Sequence, residues 1–285
     1  MKNKQVKFVL ATVIFPEIQP FFAEFSESLR NQTDHDFHIL IVNDGGNLSN
    51  FDLTGLDYTI LNSGGSIVEN RLILIHEADY RDYEWIVFAD ADDWFESNRI
   101  ETIKKFSQEY DLIANEIVPF SHNRFSEPKF EKILGHFSQI DLNFILDKNL
   151  FGLSNVACRT TFLKNISIPD ELVAVDWYLF TKAMLSGARA CFTAESKTYY
   201  RQWSHNIIGM DKTSEKEIRT GVRAKYIHFK HLAESNNWYA SNLSWLHQLY
   251  NQLEDSDFDS YINKLRKADL TTTFWWENIK NYEDE

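Results

Sequence analysis

The sequence predicts an α/β protein built on a mostly parallel, doubly wound sheet, and three observations predict it. Short continuous apolar runs alternate along the first half with stretches whose apolar residues recur at helical spacing. The runs lack the in-out alternation of a half-exposed sheet, which is the pattern of strands covered on both faces. Polar residues then collect where the runs end, the place where open α/β sheets take ligands.

The first strand is "VKFVLATVIF". Lys2, Lys4 and Lys7 precede its apolar run "FVLATVIF", as in an export signal. No small-residue cleavage site follows, however, and "PEIQPFF" leads directly into a helical pattern carried by Phe21, Phe25 and Leu29. "FHILIVNDGG" is a second strand ending in turn residues, and "YTILN" is a shorter third. Residues 68–79 read as helix, and "EWIVFADADD" is a strand that stops at acids. Asn98 and Glu101 have capping-box spacing ahead of a helix whose face is Ile100, Ile103 and Phe106. "DLIANEIVPF" follows as another strand. Residues 120–170 carry no single period, after which come a helix around "DWYLFTKAMLSG" and a strand "ARACFTA". From Asp211 the chain is polar and helical, with Trp245, Leu246, Leu249 and Leu253 on one face, expected as core or as a homodimer interface.

Bulk properties narrow the function classes. With 42 acidic against 29 basic residues the net charge is −13, which argues against a general nucleic-acid binder. The two cysteines, Cys158 and Cys191, sit in apolar surroundings without metal-ligand spacing and read as buried thiols of a reducing compartment. No apolar stretch approaches the roughly 20 residues that span a bilayer, so the expectation is a soluble, cytoplasmic protein with at most peripheral membrane association. The aromatic "FWW" at Phe274–Trp276 has acidic neighbours and is expected to pack rather than to meet anionic lipid. Neither a GxGxxG nor a GxxxxGK[ST] pattern occurs, so phosphates would be held by a metal and by Arg or Lys.

The acids Asp90, Asp92 and Asp93 are the chemistry-bearing cluster. Two carboxylates about 4 Å apart at an effective dielectric of about 20 repel by roughly 4 kcal/mol. A helix N-terminus returns only about 0.3–1 kcal/mol to each. If the cluster is partly buried, a cation has to complete it; all-oxygen ligation suits Mn²⁺ or Mg²⁺ bridging to a diphosphate. The alternative is a solvated turn capping the helix that starts near Asn98. Asp176 has a similar pair of readings, as an acid held among Val175, Trp177 and Tyr178 with a raised pKa, or as the N-cap of its own helix.

Four segments, in order, resemble the family 2 glycosyltransferases, which have the GT-A fold. They are "SLRNQTDHDFHILIVNDGG", "ENRLILIHEADYRDYEWIVFADADD", "LSNVACRTTFLKNISIPDELVAVDWYLF" and "YYRQWSHNIIG". The resemblance implies a GT-A domain over residues 1–210, with a nucleotide-sugar part at 1–118 and an acceptor part at 119–210. Residues 211–285 would then form a helical extension. It implies that Thr12 and Asp44 border the nucleotide base and that Arg71 approaches the nucleotide. Asp90 and Asp92 would hold ribose and metal with Asp93 beside them, and Asp176 would deprotonate the acceptor hydroxyl. Arg201 is a candidate clamp for the leaving diphosphate, and His205 a candidate metal or phosphate contact or else a packed surface histidine. The implied partners are a nucleotide-sugar donor, UDP-linked by preference, and a glycan or lipid-linked glycan acceptor, plausibly in surface polysaccharide synthesis.

The chain departs from the family pattern at three places. Asn43-Asp44 stands for Asp-Asp, Val175 for the Glu that often precedes the base, and Ala11-Thr12-Val13 for Pro-Thr-Tyr-Asn. Two rival readings are a non-catalytic sugar-nucleotide-binding protein of the same fold and a nucleotidyltransferase, which would leave "VDW" and "YRQWSHN" unexplained.

Overall fold

The computed structural model describes residues 7–121, 124–203, 214–255, 258–267 and 274–282. In chain order the elements are β1 (Phe8–Ile14), α1 (Phe22–Arg30), β2 (His38–Asp44), β3 (Tyr58–Ser63), α2 (Ile67–Tyr80), β4 (Trp85–Phe88), β5 (Trp94–Phe95), α3 (Arg99–Phe106), β6 (Leu112–Ser121) and β7 (Arg124–Phe125). They continue with α4 (Glu131–Leu134), β8 (Phe137–Ile140), α5 (Leu142–Ile145), β9 (Val156–Arg159), α6 (Val175–Leu185), β10 (Ala190–Arg201), α7 (Glu215–Leu232), α8 (Asn237–Asn251) and α9 (Phe258–Lys267). The chain divides into two compact units. One holds the residues up to Ile140 with Phe151–Ser167 and Lys182–Arg201; the other holds Asp141–Leu150, Ile168–Thr181 and the residues from Gln202 on.

Among the described residues ten strands, all in the first unit, form one sheet, ordered β3-β2-β1-β4-β9-β6-β10-β5, with β7 paired to β6 and β8 to β10. β1, β2, β3 and β4 run parallel, as their continuous apolar sequences predict. Every residue of β1 is buried, and so is every residue of β4. The chain steps outward from β1 through β2 to β3, then α2 carries it back across to β4 on the other side of β1. That reversal puts a topological switch point at the carboxyl ends of β1 and β4, the place where such sheets bind ligands.

The second half of the sheet is mixed. β9, in the segment that showed no period, lies antiparallel between β4 and β6, while β10 runs parallel to β6. The register of that last pair slips between Thr193 and Lys197, opposite Asn115 and Glu116. The extra residues bend β10 at the bulge, and the strand continues to Arg201. β10 thus runs well beyond the "ARACFTA" expected from sequence.

The capping box expected at Asn98 and Glu101 does not form. The Asn98 amide donates instead to the Glu195 carbonyl (2.8 Å), and the Glu101 carboxylate accepts from Thr33 (2.8 Å). A capping box stands at the start of α2, where the Glu69 amide N–H donates to Ser66 Oγ and the Ser66 N–H to Glu69 Oε2. The cysteines are buried free thiols, as expected, and burial pushes the Cys191 thiol up to about 12.

The second unit is helical. Its centre is Trp177, whose ring stacks on His228 (3.7 Å between centroids) and on Trp276 (5.1 Å), and whose indole N–H donates to the Ile145 carbonyl (3.0 Å). Leu246, Leu249 and Leu253 are buried, and Phe274, Trp275 and Trp276 pack inside as well. The buried Lys225 ammonium donates to the carbonyls of Asp147 (2.8 Å), Trp276 (3.2 Å) and Ile279 (2.6 Å). Residues 141–150 and 168–181 thus group with the C-terminal helices rather than with the rest of the expected acceptor part. Among the described residues no helix is long and apolar enough to cross a membrane.

Candidate functional site

The parallel register brings the carboxyl ends of β1, β2 and β4 side by side, with Ala11 opposite Phe88 and Ile14 opposite Asn43. Thr12, on β1, is fully buried, and its hydroxyl has no hydrogen-bond partner among the described residues. At the end of β2 the Asn43 side chain closes the turn by accepting from the Gly46 N–H (2.9 Å). Asp44 Oδ2 accepts from the amide of Asn70 (2.8 Å), a buried residue on α2. The capping box fixes the first turn of α2, so Asn70 and Arg71 leave it together. Arg71 Nη2 donates to Asp90 Oδ1 at 3.0 Å.

The acids follow β4 in a tight turn in which the Asp93 N–H donates to the Asp90 carbonyl (3.2 Å). They do not share one environment. Asp90 and Asp92 are half-buried, whereas Asp93 is 1% exposed. Asp93 Oδ1 accepts from the Arg201 backbone N–H (2.7 Å), and Arg201 Nε donates to the Asp92 carbonyl (2.7 Å). The Arg201 guanidinium also pairs with Glu24 and lies over the rings of Phe21 (4.3 Å) and Phe120 (4.5 Å).

A second arginine backs the turn from inside. Arg99, 1% exposed, donates through Nη2 to the Phe88 carbonyl (2.8 Å) and through Nε to Asn115 Oδ1 (3.2 Å), and stacks on Phe95 (4.2 Å). Burial pushes its guanidinium down to about 9, with the Asp93 and Asp90 carboxyls working against that, so it is still a cation at neutral pH. Burial also holds Asp93 well above the usual carboxylate range. The neighbouring Asp92 and Asp90 push the same way, and the Ser154 hydroxyl and Arg201 N–H push against it.

The question raised by three adjacent acids therefore has a largely internal answer. Arg71, Arg99 and Arg201 supply cations, and Asp93 favours its proton. Asp90 and Asp92, half-buried, stand at the switch point. Asp93 is built into the turn, so the expectation that it ligates a metal does not match its burial, and Arg201 braces the same turn.

The chemistry of the remaining donors suits a hard divalent cation. Such an ion is commonly held by one or two carboxylates and completes its shell with substrate phosphates and water. Asp90 and Asp92 offer those carboxylates. Among the described residues no three His, Cys, Asp or Glu side chains converge as a self-sufficient metal site. His205 lies outside the described residues.

Asp176 belongs to the second unit, in the first turn of α6. It is half-buried between the buried Val175 and Trp177. Its Oδ1 accepts from the Trp177 N–H (2.8 Å) and its Oδ2 from the amide of Asn149 (3.1 Å). The residue sits inside the helix, not at the N-cap position. No local pattern marks Asn70, Arg99 or Asn149 as functional, although Asn70 neighbours Arg71 in "ENRLILIH" and Arg99 lies inside the Asn98–Glu101 spacing.

Comparison with known proteins agrees with this architecture. No curated protein sequence matches the chain. The structure is similar to that of Staphylococcus aureus TarS residues 1–349 in complex with UDP-GlcNAc, at 18% identity and a TM-score of 0.59, over 93% of this chain and 77% of that one. It is also similar to the mannosyltransferase PcManGT from Pyrobaculum calidifontis in complex with GDP-Man and Mn²⁺, at 13% identity and a TM-score of 0.61, over 95% and 77%. In two further TarS structures the match spans 65% of the 1–349 chain and 40% of the longer one. At these identities the likeness is one of fold, and the fold is the GT-A type that the sequence predicts. The sequence pattern of glycosyl transferase family 2 matches residues 11–168, just over half of the chain, and with the strand-end acids in that stretch the chain belongs to this family.

Proposed function

We propose that the protein is a metal-dependent, inverting glycosyltransferase that moves a sugar from a nucleotide-sugar to a hydroxyl of a glycan or lipid-linked glycan, in surface polysaccharide synthesis. The observation that carries the reading is the acid turn. Arg71 pairs with Asp90, burial keeps the Asp93 carboxyl well above the usual carboxylate range, and Asp90 and Asp92 stand at the switch point of the sheet. UDP is the preferred nucleotide, supported by the shared fold of TarS with its bound UDP-GlcNAc. The Mn²⁺ of PcManGT supports the metal.

In this reading Thr12 and Asp44 border the base, Asn70 orients Asp44, and Arg71 orients Asp90. Asp90 and Asp92 would hold Mn²⁺ or Mg²⁺, which when bound neutralises charge developing on the departing diphosphate. Arg99 and Arg201 keep the turn in one shape. Asp176 accepts the proton of the acceptor hydroxyl as its oxygen bonds to the anomeric carbon. The bond to the nucleoside diphosphate breaks on the opposite face, so the configuration inverts.

Calorimetric titration of UDP and of GDP, each with and without Mn²⁺, tests the donor side on wild type and Asp92→Ala. The expected result is Mn²⁺-dependent binding of UDP that falls at least tenfold in the variant. Binding of neither nucleotide by folded protein would overturn the donor assignment. Asp176→Asn is expected to retain nucleotide binding while losing transfer. Sugar transfer that survives in Asp176→Asn would remove it as the base, and release of pyrophosphate would point to a nucleotidyltransferase.

A further inference from the structure

Asn149, which lies outside α6, donates its side-chain amide to the Asp176 carboxylate (3.1 Å), and nothing in its local sequence marks it. It is 1% exposed. A buried side-chain amide without a partner is costly, and here the partner of its N–H is an acid. The chain around Asn149 is itself pinned. Its backbone N–H donates to the Trp275 carbonyl (3.0 Å) in an isolated antiparallel bridge. Two residues earlier, the Asp147 carbonyl accepts from the Lys225 ammonium, which also holds the carbonyls of Trp276 and Ile279. On the other side of Asp176, the Trp177 ring is stacked on His228 and Trp276. The segment Phe274–Ile279 therefore fixes the surroundings of Asp176 from two directions, although it lies far beyond the stretch that matches the family.

We infer that Asn149 is a positioning residue for Asp176, and that the C-terminal segment holds it in place. The inference rests on Asp176 being the base of the proposed reaction. An N–H aimed at a carboxylate oxygen favours the ionised form and fixes the rotamer. A base needs both before it can take the acceptor proton. The C-terminal aromatics are thus part of the catalytic scaffold as well as core.

The test reads Asp176 directly. Its carboxyl carbon is followed by NMR during a pH titration of carboxyl-labelled protein, with Asp176→Asn assigning the signal. In Asn149→Ala the midpoint is expected to rise by about one unit as the hydrogen bond to the charged form is lost. In Asn149→Asp, which keeps the side chain's volume but sets a second acid opposite, it is expected to rise further. The charged and titratable groups of the surrounding elements are unchanged in both variants: Asp147 and Lys148, Lys225 and His228 on α7, and Glu277. Turnover of the donor that binds is expected to fall about tenfold or more, with its KM and the UDP affinity unchanged. An unshifted Asp176 midpoint in both variants overturns the proposal, whatever the turnover. Activity that survives Asp176→Asn removes the base assignment instead, and the two failures are distinguishable.

Discussion

At the scale of single residues, Arg99 decides whether the acid turn is a stable object. It is buried, its planar fork reaches two acceptors on β4 and β6, and the Asp93 and Asp90 carboxyls lie within its field. Arg99→Met leaves the buried Phe88 carbonyl and Asn115 Oδ1 without their charged donor, and a buried polar group left unsatisfied costs about 1–3 kcal/mol, so a loss of about 3 kcal/mol is expected in denaturant titration. Arg99→Lys should recover little of this, since an ammonium serves the Phe88 carbonyl or Asn115 but lacks the fork for both. If the charge link is real, Asp93→Asn costs less in the Arg99→Met background than in wild type, by at least about 1 kcal/mol. Strict additivity would leave Arg99 its hydrogen bonds to Phe88 and Asn115 and remove the charge link to Asp93. The acids could be found in the sequence because a strand that ends in three carboxyls is conspicuous at short range. Arg99 and Asn149 could not, because each acts through a contact that no local pattern records.

At the scale of elements, short-range chemistry was legible and long-range chemistry was not. Strands β1, β2 and β4 are apolar runs and β6 is one interrupted by Asn115 and Glu116, and all four could be read directly. β8 and β9 have four residues and β5 and β7 two each, too few to carry a period, and these make the antiparallel pairs in the sheet. Spacing alone put a capping box at Asn98, although that amide is engaged by Glu195 across the fold. Glu116 is a further case. It is fully buried on β6, yet its carboxylate accepts from the backbone N–H groups of Ile117 (2.7 Å), Lys129 (3.1 Å), Phe130 (2.9 Å) and Glu131 (2.6 Å). Those donors bind the start of α4 to β6 and offset part of the burial that raises its pKa. Glu116→Gln would turn an NH₂ toward donors that need an acceptor. Even with its oxygen at the Oε1 position, where the Ile117, Lys129 and Phe130 N–H groups converge, the Glu131 N–H is left unmatched, and the loss is expected to be about 1–3 kcal/mol, read as a lower denaturant midpoint. An unchanged midpoint would mean that the carboxylate does not hold α4.

At the scale of the whole molecule, two influences of opposite sign govern how stability responds to acid. The chain carries a net charge of −13, and acidification relieves the self-repulsion of such a chain. Asp93 works in the same direction, because an acid whose pKa is raised on folding favours the folded state at low pH. His228 opposes both. It is fully buried against Trp177, with Nε2 3.4 Å from the Tyr239 hydroxyl and no partner for Nδ1 among the described residues. Burial first, then the charges of Lys225 and His231, hold it well below the usual histidine range. The folded protein therefore keeps it neutral, while the unfolded chain takes a proton below about pH 6.5. Its contribution is present above that pH and is lost as pH falls, by up to about 1.4 kcal/mol per unit. His228→Phe retains the stacking on Trp177 and removes the titration. Between pH 7.5 and 5.5, above the sequence pI of about 5.2, wild type is expected to lose more thermal stability than the variant. A relative loss of about 1 kcal/mol corresponds to roughly 2–4 °C in Tm for a chain of this size. Parallel melting profiles for the two proteins would show that His228 does not set the acid limit of the helical unit.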